Sequence, residues 1–132
     1  MRATKILALT CVRGESMSTL KTIKLSLVDR VSITAKMEAI CPVTKTVDKY
    51  DITIEYVPNS NGIYIELKSL RKFLDSYKRR EIYHEDLANE IAKYIYEIAK
   101  PKKLSIKLES NYVGMKVTVI KELKYDNYRS TP

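Results

Sequence analysis

The chain predicts an α+β domain: one antiparallel four-stranded sheet covered on one face by two helices, in the order β-β-α-α-β-β. Three observations predict it. Apolar residues alternate with period two in two early and two late segments, 32–40 with 50–57 and 103–110 with 114–123. Between these pairs the apolar period changes to 3.6. Turn-forming clusters sit at the changes: PNSNG at 58–62, Lys100-Pro101, and NYVG at 111–114. A length of 132 residues suits a single domain with one real core.

The elements follow in order. MRATKILALTCVRGESM is too short in its apolar part, and too polar at its end, for a signal peptide, and a second methionine, Met17, closes it. Residues 1–20 are therefore expected to be a disordered extension in which Cys11 has no role, with the domain over 21–124 and a loose tail over 125–132. Residues 21–30 alternate loosely, as a short strand or an ordered arm would. In SITAKMEAI, Ile33, Ala35, Met37 and Ala39 share one face; in YDITIEYV, Ile52, Ile54 and Tyr56 do. IYI at 63–65 is a brief extended piece. Leu67, Leu70, Leu74 and Tyr77 make one stripe of a first helix, and Leu87, Ile91, Tyr94, Ile95 and Ile98 one stripe of a second. Glu85 and Asp86 at the start of the second helix suit its dipole, and Lys100-Pro101 ends it. Leu104, Ile106 and Leu108, then Met115, Val117 and Val119, are the inward residues of the last two strands. The outward positions, among them Lys36, Glu38, Glu55, Lys107 and Lys116, are polar, so that face meets solvent or the lumen of an oligomeric ring.

Composition narrows the function classes. The formal net charge is +8 and the pI about 9.4, which favours a polyanionic partner such as nucleic acid, although solvated lysines alone produce the same balance. Two cysteines thirty residues apart build no disulfide framework, and a single histidine, His84, offers no metal-ligand spacing, so no metal is expected. No apolar run reaches eighteen residues, and the expected location is cytoplasmic. Glutamine is absent and Lys and Glu are abundant, a thermophile tendency.

The stretch ICPVTKTVD at 40–48 carries the chemistry question. From the residues alone, Cys41 reads first as a small buried hydrophobe at a strand end and only second as a nucleophile. Asp48 reads as a turn residue or as its proton partner. Four stretches together resemble the QueF family of nitrile-converting enzymes of 7-deazaguanine metabolism: Cys41–Asp48, ELKSL at 66–70, DSYKRREIYHED at 75–86, and YVG at 112–114. The resemblance covers about residues 30–123 and implies the tunnelling fold, in which subunits join their sheets into a barrel. It also implies a homo-oligomer of pentameric rings pairing into decamers, with active sites between subunits. It makes Cys41 the nucleophile that forms a covalent thioimide with a nitrile, with Asp48 as proton donor. Glu85 then grips the amide and amino edge of the base, and His84, Glu66 and Ser69 help to bind it. Lys45, or arginines from a neighbouring subunit, are candidates for the cation that lowers the thiol pKa.

Two activities share that thioimide. The reductase branch reduces it twice with NADPH and carries a signature that Glu66-Leu67-Lys68-Ser69-Leu70-Arg71-Lys72-Phe73 resembles, with Lys68 and Arg71 as the residues that would touch the cofactor. The archaeal QueF-like branch has ammonia displace the sulfur, on 7-cyano-7-deazaguanine (preQ0) already in tRNA, with no redox cofactor. KTVD at 45–48, DSYKRREI, HEDLA, the short chain and the basic charge resemble that branch. The expected function is therefore a tRNA-modifying amidinotransferase forming archaeosine, with the NADPH-dependent preQ0 reductase as alternative. A degenerate, non-catalytic RNA-binding or assembly protein of the same fold is a third reading. Lys78, Arg79, Arg80, Lys102 and Lys103 are the candidate contacts to the RNA backbone.

Overall fold

The computed structural model describes residues 20–124. In chain order these form β1 (Thr22–Lys24), β2 (Val31–Ile40), β3 (Val47–Val57), β4 (Ile63–Ile65), α1 (Leu67–Asp75), α2 (His84–Ala99), β5 (Lys103–Tyr112) and β6 (Met115–Lys124). The main sheet is antiparallel, as expected, with the strand order β2-β3-β5-β6. The expected single sheet is supplemented by a second: β1 pairs with β4, Thr22 opposite Ile65. The arm after β1 runs past Gly62, whose φ is +70° and where an added Cβ would lie 2.5 Å from the Leu25 carbonyl oxygen. Only glycine fits that close approach.

The inward faces of the strands match their alternation. Met37, Ala39, Tyr50, Ile52, Ile54, Tyr56, Leu104, Ile106 and Leu108 are buried against both helices. Each fully buried Ile or Leu contributes about 1.5–3 kcal/mol relative to exposure. The α2 stripe is buried at Leu87, Ile91 and Ile95, and Ala88, Ala92 and Ala99 let the helix lie close on the sheet. It ends at Lys100, in the left-handed conformation just before Pro101.

Three expectations need correction. Leu67 is exposed: it is the first residue after the Glu66 cap, and the core-facing places of α1 go to Ser69, Leu70, Phe73 and Leu74. Met115 is also exposed: it is the first residue of the edge strand β6, directly after the turn at 113–114. Leu20, placed in the extension by sequence, is buried in the core. The rest of that extension, with Cys11, and the tail at 125–132 lie outside the described residues. No helix among the described residues is long and apolar enough to cross a membrane.

Candidate active site

Four elements meet at one end of the sheet. Cys41 follows β2, Asp48 and Tyr50 open β3, His84 begins α2, and Tyr112 ends β5. The β2–β3 hairpin fixes Cys41 through both backbone groups: its N–H donates to the Thr46 carbonyl at 2.8 Å, and its carbonyl accepts from Lys45 N–H at 2.8 Å. Lys45 takes φ +63° to close this loop. Segment 80–82 then runs along β2 like a short extra strand. Ile40 N–H donates to the Arg80 carbonyl at 2.8 Å, and Ile82 N–H to the Ile40 carbonyl at 3.1 Å. That docking brings the start of α2 to the hairpin.

Asp48 and His84 form the polar centre. His84 Nε2 lies 3.7 Å from Asp48 Oδ2, with side chains only 17% and 10% exposed. The Tyr50 hydroxyl donates to the same oxygen at 3.5 Å. Burial, then the Asp48 charge, pushes the Tyr50 hydroxyl far above its ordinary range, so it stays a donor. The His84 ring is held edge-on between two tyrosines, Tyr50 at 5.4 Å and Tyr112 at 6.1 Å between centroids. Glu85 is exposed in the first turn of α2, within electrostatic range of Tyr50. No side chain caps this helix start.

Cys41 is covered, but thinly, by its own loop and by Tyr112, whose hydroxyl lies 4.0 Å from Sγ. Hydrogen bonds from the Thr44 side chain and backbone hold the thiol below its ordinary value, outweighing burial; Thr44 N–H lies 3.5 Å from Sγ. Lys45, one of the candidate cations for this role, pairs instead with Glu81 at 2.9 Å. Within the single chain the tight turn aims Thr44 N–H at the sulfur.

The other expected residues lie elsewhere. Glu66 and Ser69 cap α1: Glu66 Oε1 accepts from Ser69 N–H at 2.8 Å and Oε2 from Lys68 N–H at 3.0 Å. The Ser69 hydroxyl donates to the Glu66 carbonyl at 2.9 Å and accepts from Lys21 N–H at 2.9 Å. These bonds hold the Glu66 carboxyl below the usual carboxylate range. Ile65 N–H donates to the Tyr56 hydroxyl at 3.1 Å, so this cap belongs to the far end of β3. Asp48 and Tyr56 are eight residues apart along that strand, roughly 26 Å at ~3.3 Å per residue. Lys68 is exposed, while Arg71 donates to Asp75 at 2.8 Å and to the Lys36 carbonyl at 2.8 Å. Lys78 and Arg79 are exposed beside the Cys41 end, whereas Lys102 and Lys103 follow Val57 at the opposite end. Arg80 is engaged: it pairs with Glu90, with Nη2 at 3.1 Å from Oε1, and stacks 5.1 Å over the Tyr77 ring.

The sequence matches the family described as QueF-like protein over residues 48–127. An archaeosine synthase of Pyrobaculum calidifontis is 33% identical over 92 residues, 70% of this chain and 83% of that one. The chain belongs to the QueF-like family. A reductase of Wolinella succinogenes, described as NADPH-dependent 7-cyano-7-deazaguanine reductase, is 35% identical over 85 residues, 64% of this chain and 67% of that one. A crystal structure of the archaeosine synthase QueF-like, in its apo form, superposes with a TM-score of 0.70 at 29% identity, covering 76% of this chain and 97% of that one. The α+β arrangement is thus the tunnelling fold of this family. The QueF-like match starts at Asp48, so the case for Cys41 rests on the geometry just described.

Sequence reasoning missed Tyr50, Thr44 and the role of Tyr112. Tyr50 shares the parity of Ile52 and Ile54, which marks it as inward. Tyr112 stood in the YVG stretch, but only the docking of β5 beside the hairpin places it on sulfur.

Proposed function

We propose that the protein is a tRNA-modifying amidinotransferase that converts the nitrile of preQ0 in tRNA to the formamidine of archaeosine through a Cys41 thioimide and ammonia. The observation that carries this reading is a thiol held toward its thiolate by Thr44, at one sheet end with the buried Asp48–His84 pair. The Cys41 thiol gives its proton to the Asp48 carboxylate, the thiolate attacks the nitrile carbon and forms a C–S bond, and the nitrile nitrogen takes that proton from the Asp48 carboxyl group. Ammonia adds to the resulting thioimide carbon, and a proton passes from the ammonia nitrogen to the imine nitrogen. The C–S bond then breaks, sulfur leaves with its electron pair as thiolate, and the carbon keeps two nitrogens as an amidinium. Glu85, exposed at the helix start, is suited to accept two N–H bonds from the base edge.

The basic surplus supports an RNA partner, but not on the sheet's outward face. There Lys36, Lys49, Lys103, Lys107, Lys116 and Lys124 are nearly balanced by Glu38, Asp51, Glu55, Glu109 and Glu122. Lys68, Lys72, Lys78 and Arg79, exposed on and after α1, are better placed for phosphates. If Glu66 and Ser69 bind the same base, a neighbouring subunit supplies them, since their own end of the sheet is far from Cys41. The open edges of β2 and β6 suit such an assembly, for which pentameric rings pairing into decamers are the expectation.

The reductase is a second reading, favoured by the Glu66–Phe73 match and the Wolinella relative. NADPH would supply hydride to the thioimide carbon. Lys68 and Lys72 are free to meet its phosphates, but Arg71 would have to leave Asp75. The test is direct. Purified protein is given preQ0-containing tRNA with an ammonium salt, and separately the free nitrile base with NADPH. Products are read by mass spectrometry, with Cys41→Ala as control. Formamidine on tRNA without NADPH oxidation supports the amidinotransferase; aminomethyl base with NADPH consumption overturns it for the reductase.

A further inference from the structure

The Tyr112 hydroxyl reaches Cys41 from across 71 residues of chain, by a route independent of the hairpin loop. Its ring is fixed against His84, so the hydroxyl is delivered by a rigid element. The turn behind it is unusual. Tyr112 pairs with Met115 around a two-residue turn in which Val113 takes φ +48° and Gly114 φ +77°. Hairpin turns of this kind favour positive φ at both places, but a β-branched residue there is strained. The strain is held next to the residue that touches the reacting sulfur, a pattern common at functional sites.

We propose that the Tyr112 hydroxyl is a second catalytic group, donating a hydrogen bond to the Cys41 thiolate before attack and again as sulfur departs from the ammonia adduct. The direction of the bond follows from acidity. A phenol loses its proton near pH 10 and a thiol near 8.5, so once one proton is gone the remaining one stays on oxygen. Among the described residues, the other groups that donate to this sulfur, Thr44 and the Val43 backbone, both belong to the hairpin loop. The same donor serves both steps because both have thiolate at one side of the reaction. In the covalent thioimide the sulfur is neutral, and the bond weakens. The inference rests on the reading of Cys41 as nucleophile.

The experiment uses the full chain with Cys11→Ala, so that Cys41 alone reports. The rate of iodoacetamide alkylation is followed from pH 5 to 10 for this protein and with Tyr112→Phe added. The Phe ring keeps its packing on His84. The expected result is a higher midpoint for the Phe variant, with about 3–10-fold slower alkylation at pH 7 and a difference that vanishes at high pH. An unchanged midpoint overturns the proposal. Tyr112→Leu gives a second reading if the Phe variant folds poorly: it must show the same midpoint shift, and an unshifted Leu variant counts against the hydroxyl. Failure of the function itself looks different. In that case the Tyr112 background protein forms no adduct with the nitrile base, whatever its alkylation profile.

Discussion

The two ends of the main sheet use similar residue types differently. At the Cys41 end, a thiol, a carboxylate, an imidazole and two phenols converge from β2, β3, β5 and α2, and few of their polar atoms are spent on holding the backbone. At the Glu66 end, a carboxylate and a serine hydroxyl are fully committed to a helix start and to the Lys21 backbone. Both ends resemble family motifs in sequence. Of the two, the first gathers several titratable side chains around one point. A motif can thus be legible while its purpose in the single chain is local: α1 needs a cap, and Glu66 supplies it.

The largest break of this comparison comes from Cys41→Ala. Adduct formation with the nitrile base should be abolished, and turnover should drop by roughly 10³-fold or more, with the melting temperature little changed. Mass spectrometry of the intact protein and a thermal melt check both halves. If unfolding accompanies the loss, Cys41 is a core residue and the contrast fails.

Arg80→Ala comes next and separates scaffold from partner contact. It strips a half-buried Glu90 and the Tyr77 ring of their partner, and should cost about 1–3 kcal/mol in denaturant unfolding. Lys78→Glu and Arg79→Glu should leave stability within about 0.5 kcal/mol, yet weaken salt-dependent tRNA binding. Equal behaviour of all three variants would remove the distinction between Arg80 and its neighbours.

Glu66→Ala should lower the melting temperature by a few degrees and leave Cys41 alkylation unchanged. Because the folded pKa of Glu66 lies below its ordinary value, its stabilisation is present above about pH 4.5 and is lost as pH falls through the folded value. The variant should therefore show a shallower loss of stability in acid. A turnover loss far beyond the stability loss would instead place Glu66 in a neighbour's site. The smallest effect is expected at Val113→Asn, which relieves positive φ at an exposed turn and should stabilise by about 1 kcal/mol or less.

Period-two and period-3.6 patterns marked the four long strands, both helices and most of the core, because burial on one face of each element leaves that mark in any chain. The turn at 58–62 and the stop at Lys100-Pro101 were legible for the same local reason. Cys41 and Asp48 were legible as a pair only through family resemblance. Tertiary structure decided the rest. It turned Lys45 toward Glu81 and gave Cys41 a Thr44 donor, since loop closure sets where each N–H points. The exposure of Leu67 and Met115 followed from their places at element ends, where periodicity no longer tells inside from outside. Finally, docking brought Tyr112 onto the sulfur and left Glu66 at the far end of the sheet. Contacts across that many residues depend on how strands pair in space, which no local pattern records.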